Sequence, residues 1–222
     1  MERKNQMNIV LRIILWLVMM IVATLPTTVV MMAGMIEGIT GVLVGAVILL
    51  AILALAAFVA AKGDIWTKNG RSFMGRGMKL GPAIGLAIGA GLFLRVWVVV
   101  LNMIIPIKTA NDQALQGLAS GETSSILLFF SMVVMAPVLE ELVFRGYIFK
   151  FFFRENRLAA YLLSSLLFTL IHVPTDLISF VTYGSLALVM GFVYYKTNRI
   201  EMSMLTHAIN NLLPAIVLAF LH

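Results

Sequence analysis

The chain has 222 residues, 61% of them hydrophobic and 12% charged, with a mean hydropathy of +1.02. Composition this apolar lies outside the soluble range and places one membrane domain, residues 1–222, in a bilayer. The absence of cysteine excludes disulfides, thiolate catalysis and cysteine-ligated metal. The net charge of +6 invites a nucleic-acid reading, which the positions of the charges argue against.

Seven apolar segments are long enough, or nearly so, to cross a hydrocarbon core of about 30 Å. In chain order they are 8–34, 38–61, 81–107, 124–153, 158–173, 177–195 and 202–221. The first follows Met-Glu-Arg-Lys-Asn; it is too long for a signal core and lacks a small-residue cleavage site, so it reads as an anchor. Loop 62–79 mixes five cations with Trp66, Phe73 and Met78, which suggests a membrane-surface segment. On the third segment, Gly81, Gly85 and Gly89 recur every four residues and predict a small-residue face for a neighbouring helix. The fifth is short, and Pro174 marks its end by disfavouring helical geometry in the residue before it. The expected fold class is all-α: a polytopic membrane helix bundle of about seven transmembrane helices with a buried polar active site.

Basic residues give the orientation. Arg3, Lys4 and Arg12 sit at the amino terminus, and Lys62, Lys68, Arg71, Arg76 and Lys79 in the second connection. Lys150, Arg154 and Arg157 lie in the fourth connection, and Lys196 and Arg199 in the sixth. All fall at alternate ends of successive spans, hence on one face, while the other face offers Lys108 beside Glu37, Asp112, Glu122 and Asp176. The positive-inside rule then makes the amino terminus cytoplasmic and the carboxyl terminus external. The positive charge is a topology signal with some attraction to anionic lipid. Membrane lipid is the expected partner, and nucleic acid is not.

Arg95 and Arg145 remain inside spans, as do Glu140 and Glu141. Charged groups at membrane depth each cost several kcal/mol unless paired or facing water, so they mark function or a buried ion pair. Glu141 and Arg145 are spaced i,i+4 and can pair within one helix. Glu140 points about 100° away. A lone carboxylate there is a plausible general base. His172 closes the fifth span one turn after Phe168, and His207 precedes Asn211 by one turn on the seventh. Each also has a plain packing role available. Counting back to the basic ends at 1.5 Å per residue puts Glu140 roughly 21 Å deep and His172 roughly 22 Å. The same count gives Asn211 roughly 18 Å and the shallower His207 roughly 12 Å. Terminal His222 needs no role.

Glu140-Glu141-x-x-x-Arg145, Phe168-x-x-x-His172 and His207-x-x-x-Asn211, with Ala136-Pro137, Phe144-Arg145-Gly146, Ala208 and Asn210 around them, resemble a three-motif signature. It is that of the CAAX protease and bacteriocin-processing (CPBP, or Abi) family of intramembrane endopeptidases. The resemblance covers residues 130–215, which it marks as a catalytic core. It implies that Glu140 activates a water, His172 helps hold that water, and His207 and Asn211 stabilise the oxyanion. Glu141 and Arg145 would support the site, and Phe168 would be its wall. It further implies a membrane-associated peptide or lipidated peptide as substrate, in bacteriocin processing, pheromone maturation or immunity.

The cofactor stays open between none and a single zinc ion held by Glu140, His172 and His207. The sequence lacks a His-Glu-x-x-His helix, and asparagine is a poor zinc ligand beside histidine. Two other classes compete with the endopeptidase: a non-catalytic membrane immunity or binding protein, and a proton-coupled transporter, which Arg95 would suit. No inverted repeat supports the transporter.

Overall fold

The computed structural model describes residues 8–105, 109–121 and 124–221. Arg3, Lys4, Lys108, Glu122 and His222 lie outside the described residues. Helices α1 (Ile9–Gly34), α2 (Gly38–Lys62) and α3 (Leu80–Ile104) come first, with strands β1 (Arg71–Ser72) and β2 (Gly75–Arg76) between the last two. They are followed by α4 (Ala110–Ala119), α5 (Ser125–Phe152), α6 (Arg157–Ile171), α7 (Leu177–Thr197) and α8 (Ile200–Phe220). Six of these are long and apolar enough to span a membrane. Helix α6, at 15 residues, is the short member of the expected seven. Its length of roughly 22 Å falls short of the hydrocarbon core.

Local chemistry sets the ends. Asn156 caps α6 by accepting from Ala159 N at 3.0 Å, and Asp176 caps α7 by accepting from Ser179 N at 2.8 Å. That backbone bond, with the Ser179 hydroxyl, holds the Asp176 carboxyl below its ordinary range. Asn198, left-handed at φ 52°, closes α7. Helix α4 opens on a reciprocal capping box between Thr109 and Asp112. It is polar and short, unlike the long apolar runs that mark the spans.

Helix α5 is the axis of the bundle. It packs against α1, α6 and α8, while α3 lies along α8 and α6 along α7. One core cluster joins Leu94 of α3, Phe144 and Ile148 of α5, Phe168 of α6, and Tyr183 and Met190 of α7. Helix α5 is not uniformly α-helical: Ser131–Met135 and Leu142–Phe152 are π-helical, flanking α-helical Ala136–Glu141. The wider π turn re-aims side chains and recurs at functional sites.

Two expectations are corrected. The face expected for helix packing at Gly81, Gly85 and Gly89 is open, since a Cβ on any of them would meet nothing within 4 Å. The face of α3 that does close on α8 carries Ala83, Ala87 and Gly91, and a Cβ on Gly91 would lie 2.9 Å from the Thr206 carbonyl. Both sets are small and evenly spaced, so spacing alone does not choose the face that has a partner. The 62–79 connection is a two-strand ribbon tied down at the α7–α8 turn. Met78 N donates to Thr197 O at 2.8 Å and Asn198 Nδ2 to Arg76 O at 3.1 Å. Trp66 and Phe73 pack against the cluster of Phe149, Tyr194 and Ile200 instead of forming a separate lipid-facing surface.

Candidate active site

The polar residues of the bundle converge on α5. Glu141 and Arg145 are both fully buried, and Arg145 Nη1 donates to Glu141 Oε1 at 3.0 Å. The second arm of the guanidinium donates to the Ala187 carbonyl of α7 at 2.8 Å, and its plane lies 4.8 Å from the Phe168 ring. Glu141 is further held from α8, where Ser203 Oγ makes a short hydrogen bond to Oε2 and His207 Nδ1 lies 3.3 Å from Oε1. The carboxylate thus gathers partners from its own helix and from α8, so the buried pair is compensated rather than bare.

These contacts fix two imidazole tautomers. A carboxylate only accepts, so His207 Nδ1 carries the proton that faces Glu141. A carbonyl only accepts as well, so His172 Nδ1, 2.7 Å from Phe168 O, is also protonated. In each neutral ring the lone pair is therefore on Nε2. Both Nε2 atoms turn toward the same oxygen: Glu140 Oε2 lies 3.9 Å from that of His172 and 4.0 Å from that of His207. Among the described residues this Oε2 is buried without a hydrogen-bond partner. Separations near 4 Å exceed a direct hydrogen bond but suit a bridging water about 2.8 Å from each atom.

Aromatic neighbours hold the rings. The His172 imidazole lies between Tyr183, stacked at 4.5 Å, and Phe168 at 4.4 Å. The Tyr183 hydroxyl is bonded to Thr109 Oγ1 at 2.8 Å, which ties the α4 cap to the site. Next to His172, Val173 has φ 49°, a left-handed conformation that costs a β-branched residue of order 1–3 kcal/mol. This strain lies where the chain leaves α6 ahead of Pro174, at the rim of the same cavity.

Asn211 donates through Nδ2 to the Met132 carbonyl at 3.0 Å, in the first π segment of α5, and accepts from Asn210 Nδ2 at 3.0 Å. An amide nitrogen has two hydrogens, so a second remains for another acceptor. Glu140, His172, His207 and Asn211 line one cavity of about 800 Å³, together with Phe168, Arg95 and residues of α4. The structure therefore brings the four sequence candidates together, and the shallower depth counted for His207 does not keep it from Glu140. Ser203, Tyr183 and the α4 residues were missed. Ser203 lies one turn before His207 on the same face and could have been noticed; Tyr183 and α4 carried no sequence signal of their own.

Zinc requires a tighter donor set than these residues present. Tetrahedral ligands at about 2.0–2.1 Å stand roughly 3.3 Å apart. Glu140 Oε2 is 3.9 and 4.0 Å from the two imidazole nitrogens, and no group of three His, Cys, Asp or Glu among the described residues has metal-holding geometry. As arranged, Glu140, His172 and His207 do not fit the ion.

Residues 122–213 match the family model described as Rce1-like, type II CAAX prenyl endopeptidase. The matched stretch, less than half of the chain, is similar to that domain. The match takes in all three motifs, at 140–145, 168–172 and 207–211. Among similar proteins of Lactococcus lactis subsp. lactis (strain IL1403), UPF0177 protein YvdC is 30% identical over 175 residues, 77% of this chain and 64% of that protein. UPF0177 protein YbdI is 37% identical over 89 residues, 40% of this chain and 48% of the relative. The chain thus spans less than two thirds of the length of these relatives. No solved structure matches it.

Proposed function

We propose that the chain is an intramembrane endopeptidase that hydrolyses a peptide bond of a membrane-associated or lipidated peptide, with residues 130–215 as its catalytic core. The observation that carries this reading is the buried, unpartnered Oε2 of Glu140 facing two imidazole lone pairs across a water-sized gap. In the proposed reaction a water sits between Glu140 and the two Nε2 atoms. Glu140 takes one of its protons as the water oxygen bonds to the scissile carbonyl carbon, and an imidazole accepts a hydrogen bond from the other. The carbonyl oxygen becomes an oxyanion, which the second Asn211 Nδ2 hydrogen stabilises. His207 joins in molecules whose Nε2 has taken a proton from solvent before the attack; that proton stays on the ring throughout, and Glu141 beside Nδ1 offsets the imidazolium charge. Collapse breaks the carbon–nitrogen bond, and Glu140 returns its proton to the leaving amine.

This sequence uses no metal, and none is assigned to the site. Hydrolysis by purified protein is expected to survive dialysis against a zinc chelator, read as the initial rate before and after treatment. Loss on chelation with recovery on added zinc would replace the direct-water route with a metal-assisted one. The protein is proposed to sit in a bacterial plasma membrane, with its amino terminus in the cytoplasm.

The deciding test compares peptides from membranes and medium of cells carrying wild-type protein or Glu140→Gln, by mass spectrometry. Glutamine keeps the shape but cannot accept the proton, so product should fall by about 10²–10⁴-fold. Peptide ends that vanish at unchanged protein level would name the substrate. Identical profiles would remove the enzyme reading and favour a binding role.

A further inference from the structure

Arg71, Arg76, Lys79 and Arg199 line a second cavity, of about 320 Å³, which shares no residue with the cavity around Glu140. Among the described residues its wall contains no aspartate or glutamate. It lies between the α2–α3 connection and the α7–α8 turn, where four spanning helices end, and so at the level of lipid headgroups.

The ribbon sets two of these charges against each other. Arg71 and Arg76 are direct partners in the β1–β2 register, so their side chains leave one face with Cβ atoms about 5 Å apart. Like charges placed opposite one another destabilise a strand pair. A topology signal needs cations in this connection but does not need them in register. Among the described residues, the side chains of Arg71, Arg76 and Lys79 have no hydrogen bond and no carboxylate within 4.0 Å. Elsewhere on the basic face, Arg12, Lys150 and Arg157 donate to backbone carbonyls, and Lys68 pairs with Asp64 at 3.2 Å. Arg199 is fixed by Nε donating to Met78 O at 2.8 Å and Nη1 to Glu201 Oε1 at 3.0 Å, which leaves Nη2 beside Gly70. The ribbon lies this close because of Gly77, where a Cβ would stand 3.2 Å from Arg199 Cγ and from Thr197 O.

We propose that this cavity binds a phosphate group, which offsets the Arg71–Arg76 repulsion and clasps the ribbon to the α7–α8 turn. Three of the four cations are arginines, whose paired N–H donors match phosphate oxygens. Basic pockets at the headgroup level receive lipid phosphates, so the position points to an anionic lipid as the source. A soluble phosphate would meet the same groups.

The test uses the whole chain purified in dodecyl maltoside, a detergent without phosphate. The probes are dioctanoyl phosphatidylglycerol, inorganic phosphate, dioctanoylglycerol and octanoate, titrated at constant ionic strength and read by calorimetry against protein-free micelles. At least one phosphate probe is expected to bind. Arg71→Gln with Arg76→Gln should weaken it by at least about tenfold, the size of one lost hydrogen bond to a charged group. Lys62→Gln with Lys196→Gln removes the same charge from the same face outside the cavity, and should change binding by less than about twofold because distant exposed charges are screened. Without ligand, the Arg71→Gln, Arg76→Gln protein should unfold at or above the wild-type midpoint, since a repulsion is gone. Lys79→Gln, a single change at an exposed position, should weaken the same probe.

Tighter binding of the phospholipid than of inorganic phosphate would assign the site to a headgroup, and the reverse or equality to a soluble phosphate. Binding of neither, equal loss in the two double variants, or a lower midpoint without ligand would each overturn the proposal. So would dioctanoylglycerol or octanoate binding as tightly as the phosphate probes.

Discussion

Helices α1 and α2 and helix α5 are all apolar enough to cross a membrane, yet their surroundings are opposite. In the most apolar stretch of each, 6% of α1 and 11% of α2 is buried, against 56% of α5. Leu43, Val47 and Leu50 of α2 face outward, while α5 buries Phe144, Ile148 and Phe149 together with Glu141 and Arg145. For the first pair the apolar side chains answer to lipid, and little depends on any one of them. For α5 they enclose an ion pair, and each position has a protein neighbour that must fit. Hydropathy alone therefore recognises a membrane helix without telling a wall from a centre. The match to the Rce1-like domain, residues 122–213, includes α5 and leaves α1 and α2 outside.

The contrast can be broken most severely at the ion pair. Arg145→Met should destabilise the protein by about 3–5 kcal/mol, because it leaves the Glu141 carboxylate buried with its main cation gone. Thermal unfolding in detergent would show it, and adding Glu141→Gln should recover part of the loss. A fall no larger than that of a lipid-facing change would mean that water reaches Glu141. Next in size, Gly91→Val should cost about 1–3 kcal/mol by forcing α3 away from α8. Gly89→Ala, on the open face of the same helix, should stay within about 0.5 kcal/mol. Equal effects at the two glycines would show that a partner covers the open face. The smallest expected change is Leu50→Ala on α2, within about 0.5 kcal/mol in the same assay, since Leu50 is 56% exposed. A cost of several kcal/mol there would place α2 inside an assembly rather than against lipid.

How much of the site could be read beforehand differs by residue. The i,i+4 spacing gave the Glu141–Arg145 pair, because both partners lie on one helix and the period is fixed. It also set Glu140 apart as the carboxylate without a partner in its own helix. Spacing set Ser203 one turn from His207 but could not join its hydroxyl to Glu141 across 62 positions of sequence, nor find Tyr183 stacked on His172 from another helix. The depth count set His207 shallower than the other three, yet its Nε2 lies 4.0 Å from Glu140 Oε2, because side-chain reach and a partly π-helical α5 are not captured by a rise of 1.5 Å per residue.

From the sequence alone came the membrane, the approximate spans, the three motifs and the family they resemble. Each of these rests on composition or on spacing along a single helix, which covalent geometry already determines. Only the tertiary structure decided that Glu140 Oε2 faces two imidazole lone pairs and that α3 meets α8 at Gly91 rather than at Gly89. It alone showed that Arg95 opens into the same cavity. Those facts depend on the order, tilt and rotation of helices about one another. Those in turn come from side-chain packing and buried hydrogen bonds between segments far apart in the chain, which no local period encodes.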